Sequence, residues 1–457
     1  MKRLLALLLS MALCLAAGAV PVSVRGAEPE YTDSGCVDIP KLTKQQQVAL
    51  LDGAPITAFY WGEDILGDTF EEVPSVAAPH TPGRVKQQVL EQTLARLNAL
   101  RAIGGLPAVA LDGALCSQAQ YGAVLLAAGE FSHFSPKPAD MSEEFYNAGL
   151  AATSSSNISA GRYLTSTPDG FMDDGSAGNI PMVGHRRWQL NPALGKVGFG
   201  FAYNPDAPYK CYTAEKVFDQ SGSYGEYTFV SWPPSGNFPV SGAPYWTVNT
   251  PFSVTLNPRK YAAPRMEEIT VTLRRQADGA SWTFSGKESY SPSAARYMNV
   301  DTDGYGVSNC IIFRPEGIEA YEGIYTVTLT GLKDNGGNPA ALSYQIDFFD
   351  PEDYRGSEPD PKDPEQPADP RQPGDAGDVD GDGKVTSTDA RLTLQLAVEK
   401  IDREDLAYPA AADVDGDGKV TSTDARMILQ YSVGKIDGFP EKKPDPLAPG
   451  ENELPLQ

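Results

Sequence analysis

Two stretches of this chain carry oxygen ligands at the spacing a hard cation requires. Asp378, Asp380 and Asp382 stand at positions 1, 3 and 5 of a twelve-residue loop, with Gly383 at 6, Lys384 at 7 and Asp389 at 12. The pattern recurs 35 residues later as Asp413, Asp415, Asp417, Gly418, Lys419 and Asp424. Calcium takes about six to eight oxygens in a flexible cage. Carboxylates at positions 1, 3 and 5 converge on one point, and glycine at 6 permits the sharp turn. The backbone carbonyl at position 7 (Lys384, Lys419) adds an oxygen, and the acid at 12 closes the site from the start of a helix. That acid is Asp here, where the common calcium loop has Glu. Without metal the carboxylates of each loop repel, so folding of this region is expected to be coupled to Ca2+. The bland alternative is an acidic disordered tail, and two matching loops argue against it.

A helix is expected after each loop, with Leu392, Leu396 and Ile428 among its apolar residues. This duplicated pattern over 377–438 resembles the type I dockerin of cellulosome proteins. The resemblance implies a small α-helical module with two calcium F-hand loops, each one loop and one helix. It also implies binding to a cohesin module on a scaffold protein. Positions 10 and 11, which help choose the cohesin in that family, are Ser387 and Thr388 in one repeat and Ser422 and Thr423 in the other. Identical residues on two faces imply binding in either of two orientations.

The second candidate chemistry rests on histidine, of which the chain has only His80, His133 and His185. His133 follows Gly129-Glu-Phe-Ser, and His185 opens His-Arg-Arg-Trp-Gln-Leu-Asn-Pro192. With Leu97-Asn98-Ala-Leu-Arg101 before Gly105-Leu-Pro107, Leu111-Asp112, Ala119-Gln120, and Asn157-Ile158 before Gly161, the order resembles the bacterial branch of the CAP superfamily (cysteine-rich secretory, antigen and pathogenesis-related proteins) over about 90–203. That resemblance implies a three-layer α-β-α sandwich and a groove where two histidines and two glutamates converge, some members holding zinc. His133 and His185 match the histidine positions. Ser156 stands where the first glutamate belongs, and the second has no match, so Asp173 or Asp174 would have to substitute. Two imidazoles and one carboxylate would hold Zn2+ with a position open for water. Otherwise the histidines are packing or hydrogen-bonding groups of the groove. Arg186 and Arg187 are expected to be surface or ion-paired. Ser154, Ser155 and Ser156 read as a loop without the Gly-x-Ser-x-Gly elbow of a serine hydrolase.

These residues need elements to position them. Leu90, Leu94, Leu97 and Leu100 mark one helix face. Asp112 caps a second helix with Leu115, Ala119, Ala123 and Leu126 inward, and Asp140 with Glu143 reads as the capping box of a third. Lys196 to Tyr203 alternates large and small residues as a strand does, giving a mixed α/β domain over 84–205. From 220 to 350 the period is two, as at Phe252, Val254 and Leu256 or Tyr344, Ile346 and Phe348. Lys333 to Asn338 reads as a hairpin turn, and the whole stretch as an antiparallel β-sandwich serving as spacer or support. Residues 27–83 read as an irregular segment with an aromatic patch at Phe59, Tyr60 and Trp61. Residues 351–376 read as a Pro/Asp-rich linker and 439–457 as a flexible tail.

The chain has 457 residues, which suggests several domains. Its net charge of −23 disfavours nucleic acid and anionic membranes as partners. Lys2 and Arg3 precede an apolar run to Val20, so 1–26 reads as a secretory signal peptide, and no other stretch is apolar enough for a membrane span. Cys14 lacks the small preceding residue of a lipoprotein signal. Cys36, Cys116, Cys211 and Cys310 would remain, in any of three pairings or as free thiols. The expectation is a secreted, extracellular protein tethered to a cohesin-bearing scaffold, whose CAP-like region recognises a ligand or surface. The alternative is a hydrolase. Dockerins are mostly carried by polysaccharide-degrading enzymes, and a glycosidase needs paired carboxylates that no motif here marks. A metal-dependent peptidase at His133 and His185 would lack the His-Glu-x-x-His helix.

Overall fold

The computed structural model describes residues 31–57, 64–222, 225–240 and 245–355, then 376–380, 384–398, 400–403, 406, 409–416, 419–432, 435–436 and 438–440. The signal peptide, the Phe59–Trp61 patch, most of the linker and the tail, and Asp382, Gly383, Asp417 and Gly418 lie outside the described residues. The chain divides into two compact units, Met1–Glu358 and Pro359–Gln457.

The first unit begins with α1 (Lys44–Asp52), α2 (Ile65–Thr69) and the short strands β1 (Phe70–Glu72) and β2 (Arg84–Val85). There follow α3 (Gln87–Ile103), β3 (Ala110–Leu111), α4 (Gly113–Ala128), α5 (Glu143–Thr153), β4 (Asn157–Ala160), α6 (Thr167–Asp173), α7 (Gly184–Gln189), β5 (Lys196–Tyr203) and β6 (Cys211–Lys216). β1 and β2 pair with each other, and the other strands form one sheet in the order β3-β5-β6-β4, parallel only between β3 and β5. β6 carries this region past the expected boundary at 205.

The alternation in β5 is explained by its neighbours. Val197, Phe199 and Phe201 share a buried cluster with Val89, Leu90 and Leu97 of α3. Gly198 and Gly200 lie under α4, where a Cβ on Gly200 would meet the Ala119 carbonyl carbon at 2.2 Å. Asp112 caps α4, accepting from the amides of Ala114 and Leu115. The third helix starts elsewhere than the sequence suggested. Ser142, not Asp140, is its cap and accepts from the Phe145 amide, because the side-chain oxygen must sit one residue before the first helical turn.

The second region supplies β7 (Phe229–Trp232), β8 (Gly236–Pro239), β9 (Phe252–Leu256), β10 (Thr270–Arg275), β11 (Ser281–Ser285), β12 (Tyr297–Asp301), β13 (Cys310–Arg314), β14 (Gly323–Lys333) and β15 (Pro339–Phe349). They make a five-stranded sheet, β11-β10-β14-β15-β8, and a four-stranded one, β12-β13-β9-β7. The hairpin at 333–338 joins β14 to β15. One pairing departs from the antiparallel expectation: β8 lies parallel to β15. Such a pair requires a long crossover, and β9, β12 and β13 of the second sheet lie between them in sequence.

No gap separates the two regions. Leu100, Ile103, Met172 and Leu190 belong to the same buried cluster as Phe252, Val254, Val327 and Ile346. The N-terminal segment is ordered across this junction rather than irregular. The Cys36 amide donates to Gly105 O at 2.8 Å, while the Gly35 amide donates to Phe229 O at 2.9 Å. Gly35 has φ +84°, and a Cβ there would strike Gly105 O at 2.6 Å. α1, closed by a capping box at Thr43, lies along β8, with Gln47 Nε2 donating to Asn237 O and Lys44 paired to Asp347. Cys36, Cys116, Cys211 and Cys310 are free thiols.

In the second unit, α8 (Ser387–Ala397) and α9 (Ser422–Ser432) follow the two acidic loops. One small cluster joins Val379, Leu406 and Ala412 with Leu392 and Leu396, and another joins Ala390, Val414 and Ile428 with Phe439. Each loop therefore packs on the helices through its apolar second residue.

Candidate functional sites

In the first acidic loop, Asp378, Asp380 and Asp389 each offer a carboxylate oxygen within 4.8 Å of the others. Asp413, Asp415 and Asp424 do the same in the second. Asp389 is fully buried and holds its loop shut: Oδ1 accepts from the amides of Val379 and Asp380, and Oδ2 from the Thr386 amide at 2.8 Å. Asp424 repeats these bonds with Val414, Asp415 and Thr421. Asp at position 12 is thus a loop acceptor, and in α8 Asp389 is also the N3 residue of a capping box with Thr386. Three carboxylates held this close, all hard oxygen donors, fit a divalent calcium ion. Lys384 and Lys419, at position 7 of each loop, are among the described residues, while Asp382 and Asp417 lie outside them.

The repeats also present matched exposed faces. Ser387, Thr388, Arg391 and Leu394 are exposed on α8, and Ser422, Thr423, Arg426 and Leu429 on α9. Leu394 and Leu429, at equivalent positions of the two repeats, are 43% and 45% exposed.

In the first unit both candidate histidines line one cleft of about 360 Å³. His133 follows α4, and its Nδ1 donates to Thr153 O at 2.8 Å, since a carbonyl can only accept. His185 is the second residue of α7. Its Nδ1 donates to Asp174 Oδ1 at 2.7 Å. Asp174 closes α6 in the left-handed region, φ +45°, and so turns its carboxylate back toward α7, where Oδ2 accepts from the Arg186 amide. Val183, just before α7, is left-handed too, at φ +43°. A β-branched residue there is strained backbone, held by complete burial.

Burial alone would lower the His185 pKa, but Asp174, with Glu215 behind it, overrides this and raises it. Glu215 on β6 is the acid the sequence reading missed. It is fully buried, and burial pushes its pKa up to about 7 against the hydrogen bonds from Gln189 and Asn157 and the charge of His185. Gln189 Nε2 lies 2.9 Å from Oε1, and Asn157 Nδ2 lies 3.0 Å from Oε2 and 3.2 Å from His185 O. No local motif surrounds Glu215; only the pairing of β6 with β4 and β5 brings it here.

This arrangement gives the zinc expectation no support. Asp174 is spent on His185 and Arg186, and Asp173 Oδ1 accepts from Thr250. Ser156 donates to Ala152 O. Among the described residues the acidic loops alone gather three metal-ligating groups, so the cleft offers two imidazoles without a third ligand. Arg186 and Arg187 are buried, not at the surface. Arg186 is bonded to Met172 O, Pro251 O, Asp173 O and Ser253 Oγ, and Arg187 is ion-paired to Asp301. Arg101, also buried, donates to Pro107 O, Gln189 O and Asn191 O and so fixes the end of α7. The cleft can therefore bind and orient a ligand through two anchored imidazoles whose Nε2 atoms have no partner among the described residues.

Comparison with known proteins divides along the same lines. Residues 94–218 match the CAP model, described as the cysteine-rich secretory protein family, and residues 376–431 match the dockerin type I domain. Two solved structures of the third cohesin ScaC in complex with the ScaB dockerin from Acetivibrio cellulolyticus are similar to this chain. They carry a mutation in the C-terminal or the N-terminal helix of the dockerin. One match is 40% identical, covering 15% of this chain and 96% of that one; the other is 42% identical, covering 14% and 92%. Both have TM-scores of 0.14. No curated protein matches the chain.

Proposed function

We propose that this chain, which belongs to the type I dockerin proteins and also carries a CAP domain, is a secreted recognition protein tethered to an extracellular scaffold. The dockerin holds two calcium ions in F-hand loops, through Asp378, Asp380, Asp382, Asp389 and the Lys384 carbonyl, and through Asp413, Asp415, Asp417, Asp424 and the Lys419 carbonyl. Bound calcium supplies the positive charge that lets these carboxylates share a loop. The partner is a cohesin module, met by Ser387 and Thr388 or by Ser422 and Thr423. The CAP domain, built as an α-β-α sandwich against a two-sheet β-sandwich, recognises a ligand in the His133–His185 cleft.

The observation that carries the attachment reading is the duplication of an exposed face: Thr388, Arg391 and Leu394 recur as Thr423, Arg426 and Leu429. Titration of a recombinant cohesin tests it. With Ser387 and Thr388 both changed to Asp, or Ser422 and Thr423 both changed, binding should persist at a 1:1 ratio; with all four changed it should be lost. Loss on altering one face alone would refute two equivalent orientations, and binding undiminished in excess chelator would refute the calcium-held dockerin. Cleft recognition is tested separately by retention on extracellular insoluble material in chelator. A His133→Ala/His185→Ala double variant should not be retained.

A further inference from the structure

The CAP domain does not close its own cleft. Tyr305, from the turn between β12 and β13 in the second region, forms part of the wall. Its Oη donates to Met182 Sδ at 2.9 Å. Gly184 leaves room for the ring: a Cβ there would lie 2.8 Å from it. Arg187, two residues after His185, locks the turn in place. Its guanidinium pairs with Asp301, donates to Asp303 O and to Val307 O at 2.7 Å, and lies 5.3 Å from the Tyr305 ring centroid. One short helix thus offers His185 to the cleft and clamps the turn that brings Tyr305 there.

The lining defines the ligand by what it omits. Among the described residues no Asp, Glu, Lys or Arg lines the cleft. Asp174 and Glu215 are buried and committed to His185, Asn157 and Gln189. An ammonium group finds no carboxylate here. An anion finds only His185, already paired to Asp174. What remains is flat and apolar or neutral and hydrogen-bonding. Trp188 stacks on Phe218 at 3.9 Å between centroids, Tyr305 adds a further aromatic side chain, Asn179 and Ser154 bring groups that donate and accept, and Asn157, its amide nitrogen committed to Glu215 and His185 O, can accept. The volume is at the small end of ligand clefts, about 300–1,000 Å³. A ring with C–H faces and a hydroxyl edge complements such a lining.

We propose that the cleft is a composite glycan site, in which Tyr305 of the second region supplies the aromatic wall that selects a neutral sugar ring. This rests on the reading of the cleft as a recognition site. The test is calorimetry on the calcium-loaded full-length protein with cellohexaose, xylohexaose and chitohexaose, beside oligogalacturonate and oligolysine. At least one neutral oligosaccharide should bind and both charged probes should not. Tyr305→Ala should weaken binding about tenfold, the worth of one aromatic contact. Tyr305→Phe, which keeps the ring, should bind within about twofold of the parent and guards against a folding defect. Binding untouched by Tyr305→Ala but lost in His133→Ala overturns the composite wall and leaves recognition standing. Binding of a charged probe alone overturns the glycan assignment and again leaves recognition standing. Failure of all five probes also overturns the glycan assignment, and recognition is then judged by the retention assay alone.

Discussion

Removing calcium should unfold the C-terminal unit and leave the first unit intact. The magnitude follows from the loop geometry. Asp378, Asp380 and Asp389 offer oxygens within 4.8 Å of one another. At an effective dielectric near 20, two unit charges at that distance repel by about 3.5 kcal/mol, and three such pairs by about 10 kcal/mol. A small domain has a total stability of about 5–15 kcal/mol, and this unit has two such loops around small apolar clusters. In chelator at pH 7 and low salt, circular dichroism should therefore show loss of α8 and α9. Calorimetry should show a single remaining transition, that of the first unit. Two controls separate repulsion from mere loss of a ligand. Asp378→Asn removes two of the three repulsions, so this variant should bind calcium at least tenfold more weakly yet keep more helix in chelator than the parent. Salt at about 1 M, with a Debye length near 3 Å, should likewise restore part of the helix without calcium. Full helicity of the parent in low-salt chelator would refute the argument, as would an Asp378→Asn variant less folded than the parent without metal.

Three further outcomes concern the first unit. Glu215, raised by burial to about 7, and His185, raised because Asp174 outweighs burial, both hold protons in the folded state that the unfolded chain has released. Stability from Glu215 should fall as pH rises from about 4.5 to about 7, and that from His185 as pH rises past 6.5 through its raised folded value; Glu215→Gln should flatten the lower limb of a melting-temperature profile, and a parent profile that rises over this range would contradict the assignment. Arg187→Met should cost about 2–3 kcal/mol in denaturant unfolding, because it strands the Asp301 carboxylate, 12% exposed, without its cation, and an unchanged midpoint would contradict the clamp. Gly200→Ala should cost about 3 kcal/mol or more, since its Cβ would meet α4 backbone rather than a movable side chain; soluble protein of parental stability would contradict that packing.

The acidic loops could be read from sequence because their chemistry is local. Asp389 bonds to Val379, Asp380 and Thr386, all within ten residues, so one twelve-residue window carries nearly the whole arrangement. The same holds for Asp112 on α4 and for the hairpin between β14 and β15. The third helix was misplaced by two residues because Asp140 and Ser142 are both competent caps, and only the path of the chain decides between them.

The cleft could be read only in part, for the opposite reason. His133 and His185 were found through flanking motifs, but what gives each its role lies far away in sequence. The partner of His133 is 20 residues on, and Glu215 meets Asn157 58 residues back. Tyr305 reaches Met182 across 123 residues and Arg187 reaches Val307 across 120. Arg186 and Arg187 read as surface or ion-paired charges because nearby carbonyls, such as Met172 O, Asp173 O and Met182 O, satisfy only part of their five donors each. They are buried because the second region brings carbonyls and a carboxylate to them. The expectation of a spacer domain at 220–350 is too modest for the same reason. A region that shares a core with α3 and anchors both arginines of α7 also sets where His185 stands. Replacements in the β12–β13 turn, remote from His185 in sequence, should therefore alter the cleft before they alter the second region's own sheets.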